Sequence, residues 1–111
     1  METLERYRAI VQELLEKQAA IKYSQGDFRR ELVIDHDHDR YLLLAMGWDK
    51  KKRVHDVVMH IDICDGKIWI QENRTDLDIA KELMQAGVSA DHIVLGLLPP
   101  TARQYSDFAI A

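Results

Sequence analysis

The sequence predicts an α+β domain: an N-terminal helix, an antiparallel four-stranded meander, a second helix, a short fifth strand and a docked C-terminal tail. Three observations predict it. Apolar residues recur at helical spacing over residues 3–20, four strand-like runs follow with only brief polar turns between them, and a second helical stripe lies around residue 80. Short connections favour antiparallel pairing, because a parallel crossover needs roughly a dozen residues.

The elements follow in order. Leu4, Tyr7, Val11, Leu14 and Gln18 keep 3-4-3-4 spacing, and Ile10 and Leu15 widen the stripe. Ser24, Gln25, Gly26 and Asp27 form the first breaker cluster. The strand-like runs are residues 31–34, 40–48, 53–64 and 67–71. Asp65-Gly66 joins the last two and is a strong hairpin signal, since a type I′ turn needs positive φ at both central positions. A two-residue turn there sets Cys64 opposite Lys67, Ile63 opposite Ile68, Asp62 opposite Trp69, Ile61 opposite Ile70 and His60 opposite Gln71. Ile61, Ile63, Ile68 and Ile70 then share the main core face.

If the turn at residues 49–52 pairs Trp48 with Arg53, uninterrupted register sets Tyr41 opposite His60 and Leu43 opposite Val58. The second face then carries Tyr41, Leu43, Val58, His60, Asp62, Trp69 and Gln71. A half-apolar face of that size is unusual on a monomer, so the expectation is a homo-oligomer, most simply a dimer, that buries it. The rival cover is the tail, with Tyr105 and Phe108. Further on, Thr75 is the expected helix N-cap with Asp78 three residues later. Leu77, Ala80, Leu83 and Met84 form the buried stripe, and Gly87 ends the helix. Residues 93–95 read as the fifth strand, and Pro99-Pro100 as a stop to regular structure.

One hundred and eleven residues, 47% apolar and 31% charged, suit one domain spanning residues 1–111. The net charge of −4 argues against non-specific polyanion binding, which depends on Lys and Arg neutralising phosphates. Cys64 is the single cysteine, so neither an internal disulfide nor a cysteine-based zinc site is available. No apolar run approaches the roughly 20 residues that span a bilayer. The acidic, charged start is wrong for a signal peptide. Together these features predict a cytoplasmic protein with no membrane contact.

Several constellations bear on chemistry. Asp35-His36-Asp37-His38-Asp39 has metal-ligating side chains, but neighbours on one short turn rarely converge on one ion, and Asp suits turns. His60 and Asp62 are same-face neighbours suited to acid–base work, yet no serine completes a triad. A polar network at a subunit interface or under the C-terminal tail is the favoured account, since buried polar side chains must find partners. Asp65-Gly66-Lys67 matches part of a metal-dependent nuclease site but lacks a second carboxylate on a neighbouring strand. Lys50, Lys51, Lys52 and Arg53 form a dense basic run that fits phosphate or partner contact, or a solvated hairpin tip. Neither a catalytic residue nor a metal or cofactor site emerges from these patterns.

Longer strings are more specific. Gly47-Trp48-Asp49, Arg53-Val54-His55, His60 to Ile63, Asp65 to Gln71, Ile79-Ala80, Glu82-Leu83, Ala86-Gly87, Ile93 to Gly96, Pro99-Pro100, and the ending with Arg103, Tyr105 and Phe108-Ala109 together resemble the XisI family. The resemblance runs from Tyr7-Arg8 to the C-terminus. Asn73, Thr75-Asp76, Asp78 and Leu97-Leu98 depart from the family's usual residues, which argues against essential chemistry at 73 or 98. The family is named for a factor controlling excision of the fdxN element in cyanobacteria. The resemblance therefore implies a non-enzymatic accessory factor in site-specific recombination. It implies work through protein partners, an XisH-like protein and a site-specific recombinase, with weak or indirect DNA contact. The alternatives are a metal-dependent nuclease subunit, or an antitoxin-like regulatory module paired with an XisH-like protein.

Overall fold

The computed structural model describes residues 3–22 and 27–111. The order is α1 (Thr3–Ala19), β1 (Asp27–Asp35), β2 (Arg40–Asp49), β3 (Lys52–Cys64), β4 (Lys67–Asn73), α2 (Ile79–Gln85), β5 (Ile93–Val94) and α3 (Pro100–Arg103), with a 3-10 turn at Ala90–His92. The strands form one sheet in sequence order. β1 to β4 are an antiparallel meander, and β5 lies parallel to β4 with Ile68 beside Ile93. The expected α+β architecture holds. Ser24, Gln25 and Gly26 of the breaker cluster lie outside the described residues, and Asp27 starts β1.

Helix α1 buries Tyr7, Val11 and Leu15, each four residues from the next and so on one face. With Ile79, Ala80 and Leu83 of α2 they pack on one side of the sheet, the inner face, in a core with Ile61, Ile63, Ile68 and Ile70. The isoleucines thus occupy the core face that the hairpin register predicts. Asp65 (φ 52°) and Gly66 (φ 77°) are both left-handed, as a type I′ turn requires. Cys64 opposite Lys67, Ile63 opposite Ile68, Asp62 opposite Trp69 and Ile61 opposite Ile70 all form. Trp48 also pairs with Arg53.

Two β-bulges change what lies beyond these pairs. Leu43 faces Met59 but Leu44 faces Val57, so Val58 is an extra residue in β3. A bulge moves the rest of the strand by one position, and one position exchanges the faces. Tyr41 therefore pairs with Ile61 rather than His60, and both Tyr41 and Leu43 are fully buried on the inner face. Val58 also belongs to the core cluster, at 7% exposure. These three leave the predicted interface, and Leu42, Leu44 and Val57 line the outer face. The second bulge is Gln71 in β4: Ile61 faces Ile70, but His60 faces Glu72. The Val58 carbonyl accepts from the Arg74 N–H at 2.9 Å, which extends the ladder past this offset.

Local chemistry moves two further boundaries. Asn73 Oδ1 accepts from the Thr75 N–H (2.9 Å) and hydroxyl (2.7 Å), and Thr75 Oγ1 accepts from the Leu77 N–H (3.2 Å). These turn bonds engage Thr75, so Asp78 is the N-cap, accepting from the Lys81 N–H at 3.1 Å. Ile79 replaces Met84 in the buried set of α2. The end matches expectation: the Val88 N–H reaches the Leu83 carbonyl and the Gly87 N–H reaches that of Met84, around Gly87 at φ 107°. Pro99-Pro100 begins a helical turn rather than stopping structure, because Pro100 sits in the first turn of α3, where its missing N–H costs no bond.

Candidate functional site

The outer face carries a compact polar cluster. β3 presents His60 and Asp62, and β4 presents Trp69 and Gln71. His60 Nε2 lies 2.7 Å from Asp62 Oδ1, and Gln71 Nε2 donates to Asp62 Oδ2 at 3.3 Å. Arg40 Nε adds an ion pair at 3.6 Å to Asp62 Oδ1. Both oxygens of Asp62, whose side chain is 13% exposed, are therefore engaged. The His60–Asp62 pair is the centre of a network that holds three strands in register. The Gln71 bulge sets that amide beside Asp62 instead of opposite His60.

The C-terminal segment closes one half of this face. The Arg103 guanidinium carbon lies 5.1 Å from the centroid of the Trp69 ring, within cation–π range. Its Nε donates to the carbonyls of Leu95 (3.2 Å) and Leu98 (3.0 Å), and Nη2 to that of Gly96 (3.4 Å). A Cβ on Gly96 would lie 2.5 Å from Gln71 Oε1 and 3.1 Å from Trp69 Cε3, so a larger residue there would push the Gln71 amide aside and crowd the Trp69 ring. The rival cover is thus partly realised, through Arg103. Tyr105 is 84% exposed, and Phe108 packs against the core cluster instead. The Ala109 N–H bonds to the Ile93 carbonyl at 2.9 Å and fixes the segment beside β5. Over β1 to β3 the face is open: Leu42, Leu44 and Val57 are half-buried, and Val33 and Trp48 are 43% and 48% exposed.

The other candidate residues have local roles. Asp35 Oδ1 accepts from the Asp37 and His38 N–H groups, and Oδ2 meets His38 Nδ1 at 2.8 Å. The His38 hydrogen bond, opposed by desolvation, holds the Asp35 carboxyl below its usual range. Asp39 receives two bonds from Arg8, at 2.8 and 3.0 Å, and one from the Tyr41 hydroxyl at 3.2 Å. The Arg8 bonds, foremost, hold the Asp39 carboxyl low, and burial pushes the Tyr41 phenol up to about 12. Lys67 Nζ donates to the Ala111 carbonyl at 2.7 Å. Of the basic run, Arg53 lies over Trp48 at 5.4 Å, and Lys50 occupies the turn at φ 57°. Among the described residues, no three His, Cys, Asp or Glu side chains are arranged to hold a metal ion.

Sequence reasoning missed Arg40, Gly96 and Arg103. The Val58 bulge hides Arg40, because uninterrupted register sets it opposite Ile61. Arg103 joins Trp69 from 34 residues away, which no spacing rule reports.

These features define a small α+β domain with α1 and α2 on one side of a five-stranded sheet and a polar network bordered by the α3 segment on the other. The chain belongs to the XisI family: the family model described as XisI protein matches residues 1–110. It is similar to the solved structure of a XisI-like protein from Anabaena variabilis ATCC 29413, with 38% identity and TM-score 0.91 over 99% of this chain and 100% of that one. It is also similar to the fdxN element excision controlling factor XisI from the same organism, with 40% identity, TM-score 0.87 and the same coverage. No curated protein matches. No helix among the described residues is long and apolar enough to cross a membrane.

Proposed function

We propose that the chain is a non-enzymatic accessory factor for excision of a DNA element, acting through protein partners. The family's name as a controlling factor in fdxN element excision supplies the process. The observation that carries the molecular reading is the use of its reactive side chains. Asp62 is bonded to His60 and Gln71, Lys67 to the Ala111 carbonyl, and Asp35 to its own turn. Each of these side chains is taken up in holding strand register, the C-terminal segment or a turn, which is the use a structural polar network makes of them. The partners that fit this role are an XisH-like protein and a site-specific recombinase. DNA contact is weak or indirect, in keeping with the net charge of −4.

The test joins two measurements. Tagged protein expressed in cells that carry an excisable element should retain one or both partners. Deletion of its gene should reduce excision, and the chain should restore it. The purified chain should neither nick plasmid DNA with Mg²⁺ nor bind duplex tightly at near-physiological salt. Nicking that disappears in a folded Asp65→Ala variant would overturn the reading in favour of a nuclease subunit.

A further inference from the structure

We infer that the open half of the outer face is the contact for a second copy of this chain, stacked sheet to sheet with its strands running the opposite way. The argument begins with what is uncovered. Val33, Leu42, Leu44 and Val57 form an apolar centre across β1, β2 and β3, beside Met46, which Arg29 already covers. Both helices pack against the inner face, and the Arg103 segment stops at Trp69. An apolar sheet face bordered by charge has the anatomy of an interface.

Charge names the occupant. Strand β2 runs from an acidic end to a basic end. At its Arg40 end the β1–β2 turn carries Asp35, Asp37 and Asp39 against Arg40 and Arg8; at its Trp48 end Arg29, Arg53 and the turn lysines Lys50, Lys51 and Lys52 outnumber Asp27 and Asp49. Ten residues of strand separate the two ends, about 30 Å at the usual rise. That is several Debye lengths at physiological salt, so the two ends do not neutralise each other within one chain. A two-fold axis crossing β2 near its middle, in the plane of the contact, reverses the second copy. It lays the lysine turn of each chain over the Asp35–Asp37 side of the other, Leu44 over its own counterpart, and Leu42 over the other chain's Met46 position. Same-direction stacking would oppose like charges instead. The ends of the face are therefore complementary in the antiparallel orientation, as a two-fold contact requires, and Glu31, which meets its counterpart near the axis, is paired with Arg29 of its own chain at 3.2 Å. The two Arg103 segments border the overlap and confine it to β1 to β3. Nothing in this inference depends on a role in excision.

The experiment is sedimentation equilibrium on the full chain. The unaltered protein is expected to be a dimer whose dissociation rises with salt. Leu44→Glu should give a monomer with the circular dichroism of the folded protein. Lys51→Glu and Asp37→Lys, both exposed, should each weaken the dimer up to about fivefold per ion pair lost, the fold-change of a surface pair. The double variant should recover affinity, because each reversed charge meets the other's reversed partner. A monomer at every accessible concentration would overturn the inference. So would a dimer indifferent to Leu44→Glu, or a double variant weaker than either single one.

Discussion

The inner and outer faces of the sheet are built from alternate residues of the same strands, yet they meet different fates. On the inner face, Tyr41, Leu43, Met59, Ile61 and Ile68 are fully buried beneath the helices. On the outer face, Leu42, Leu44 and Val57, of similar hydrophobicity, stay half-exposed beside a charged network. Composition does not separate the two; register does. A single extra residue, Val58, decides that Tyr41 and Leu43 rather than Leu42 and Leu44 meet α1. The inner face consequently supplies stability, and the outer face stays partly open to solvent.

The largest effect expected from this contrast is a difference between neighbours. Leu43→Ala should cost about 2–5 kcal/mol in urea unfolding, as for buried leucines elsewhere. Leu42→Ala should cost under about 1 kcal/mol, measured where the chain is monomeric, since its site keeps contact with water. Equal costs would break the comparison.

Next in size is the turn that sets the first register. A Cβ at Gly66 meets nothing within 4 Å, so any penalty there is purely one of backbone. Gly66→Val should lose about 1–3 kcal/mol at φ 77°, read as a lower melting temperature. Gly66→Asn should lose less, because Asn tolerates the left-handed region.

The smallest effects are in pH dependence, and they mark where the inner face ends. Arg8 depresses the folded-state pKa of Asp39, so the pair stabilises above the unfolded value of about 3.9. That stability is lost as pH falls through the lower folded value. Arg8→Gln should flatten this acid limb. Tyr41 titrates at about 12 when folded, against about 10 unfolded. Its contribution is complete below pH about 10 and lost as pH rises towards 12, because the unfolded chain ionises first. Asp39→Asn removes a negative neighbour and lowers the folded value, so the alkaline loss should still begin at about pH 10 but be smaller and end at lower pH.

Helices α1 and α2, the meander and the Asp65-Gly66 turn were legible because each depends on local spacing. The isoleucine face followed from the same turn. The bulges were not legible, since an extra residue disturbs no pair near the turn from which register is counted. A trace remains in Val57-Val58-Met59, three apolar residues where strict alternation allows two on one face and one on the other. His60, Asp62, Trp69 and Gln71 were correctly grouped because they lie close to that turn. The cover over Trp69 comes from Arg103, and only the folded chain brings the two together.

The most direct test of the face assignment is cysteine labelling in a Cys64→Ser background, which removes the exposed native thiol. Leu42→Cys and Leu43→Cys are compared for their rates with a maleimide in dilute solution, each relative to its own rate in urea. The bulged register predicts fast labelling at position 42 and strong protection at 43. Protection at 42 with fast labelling at 43 would restore the uninterrupted register and contradict the assignment of the two faces.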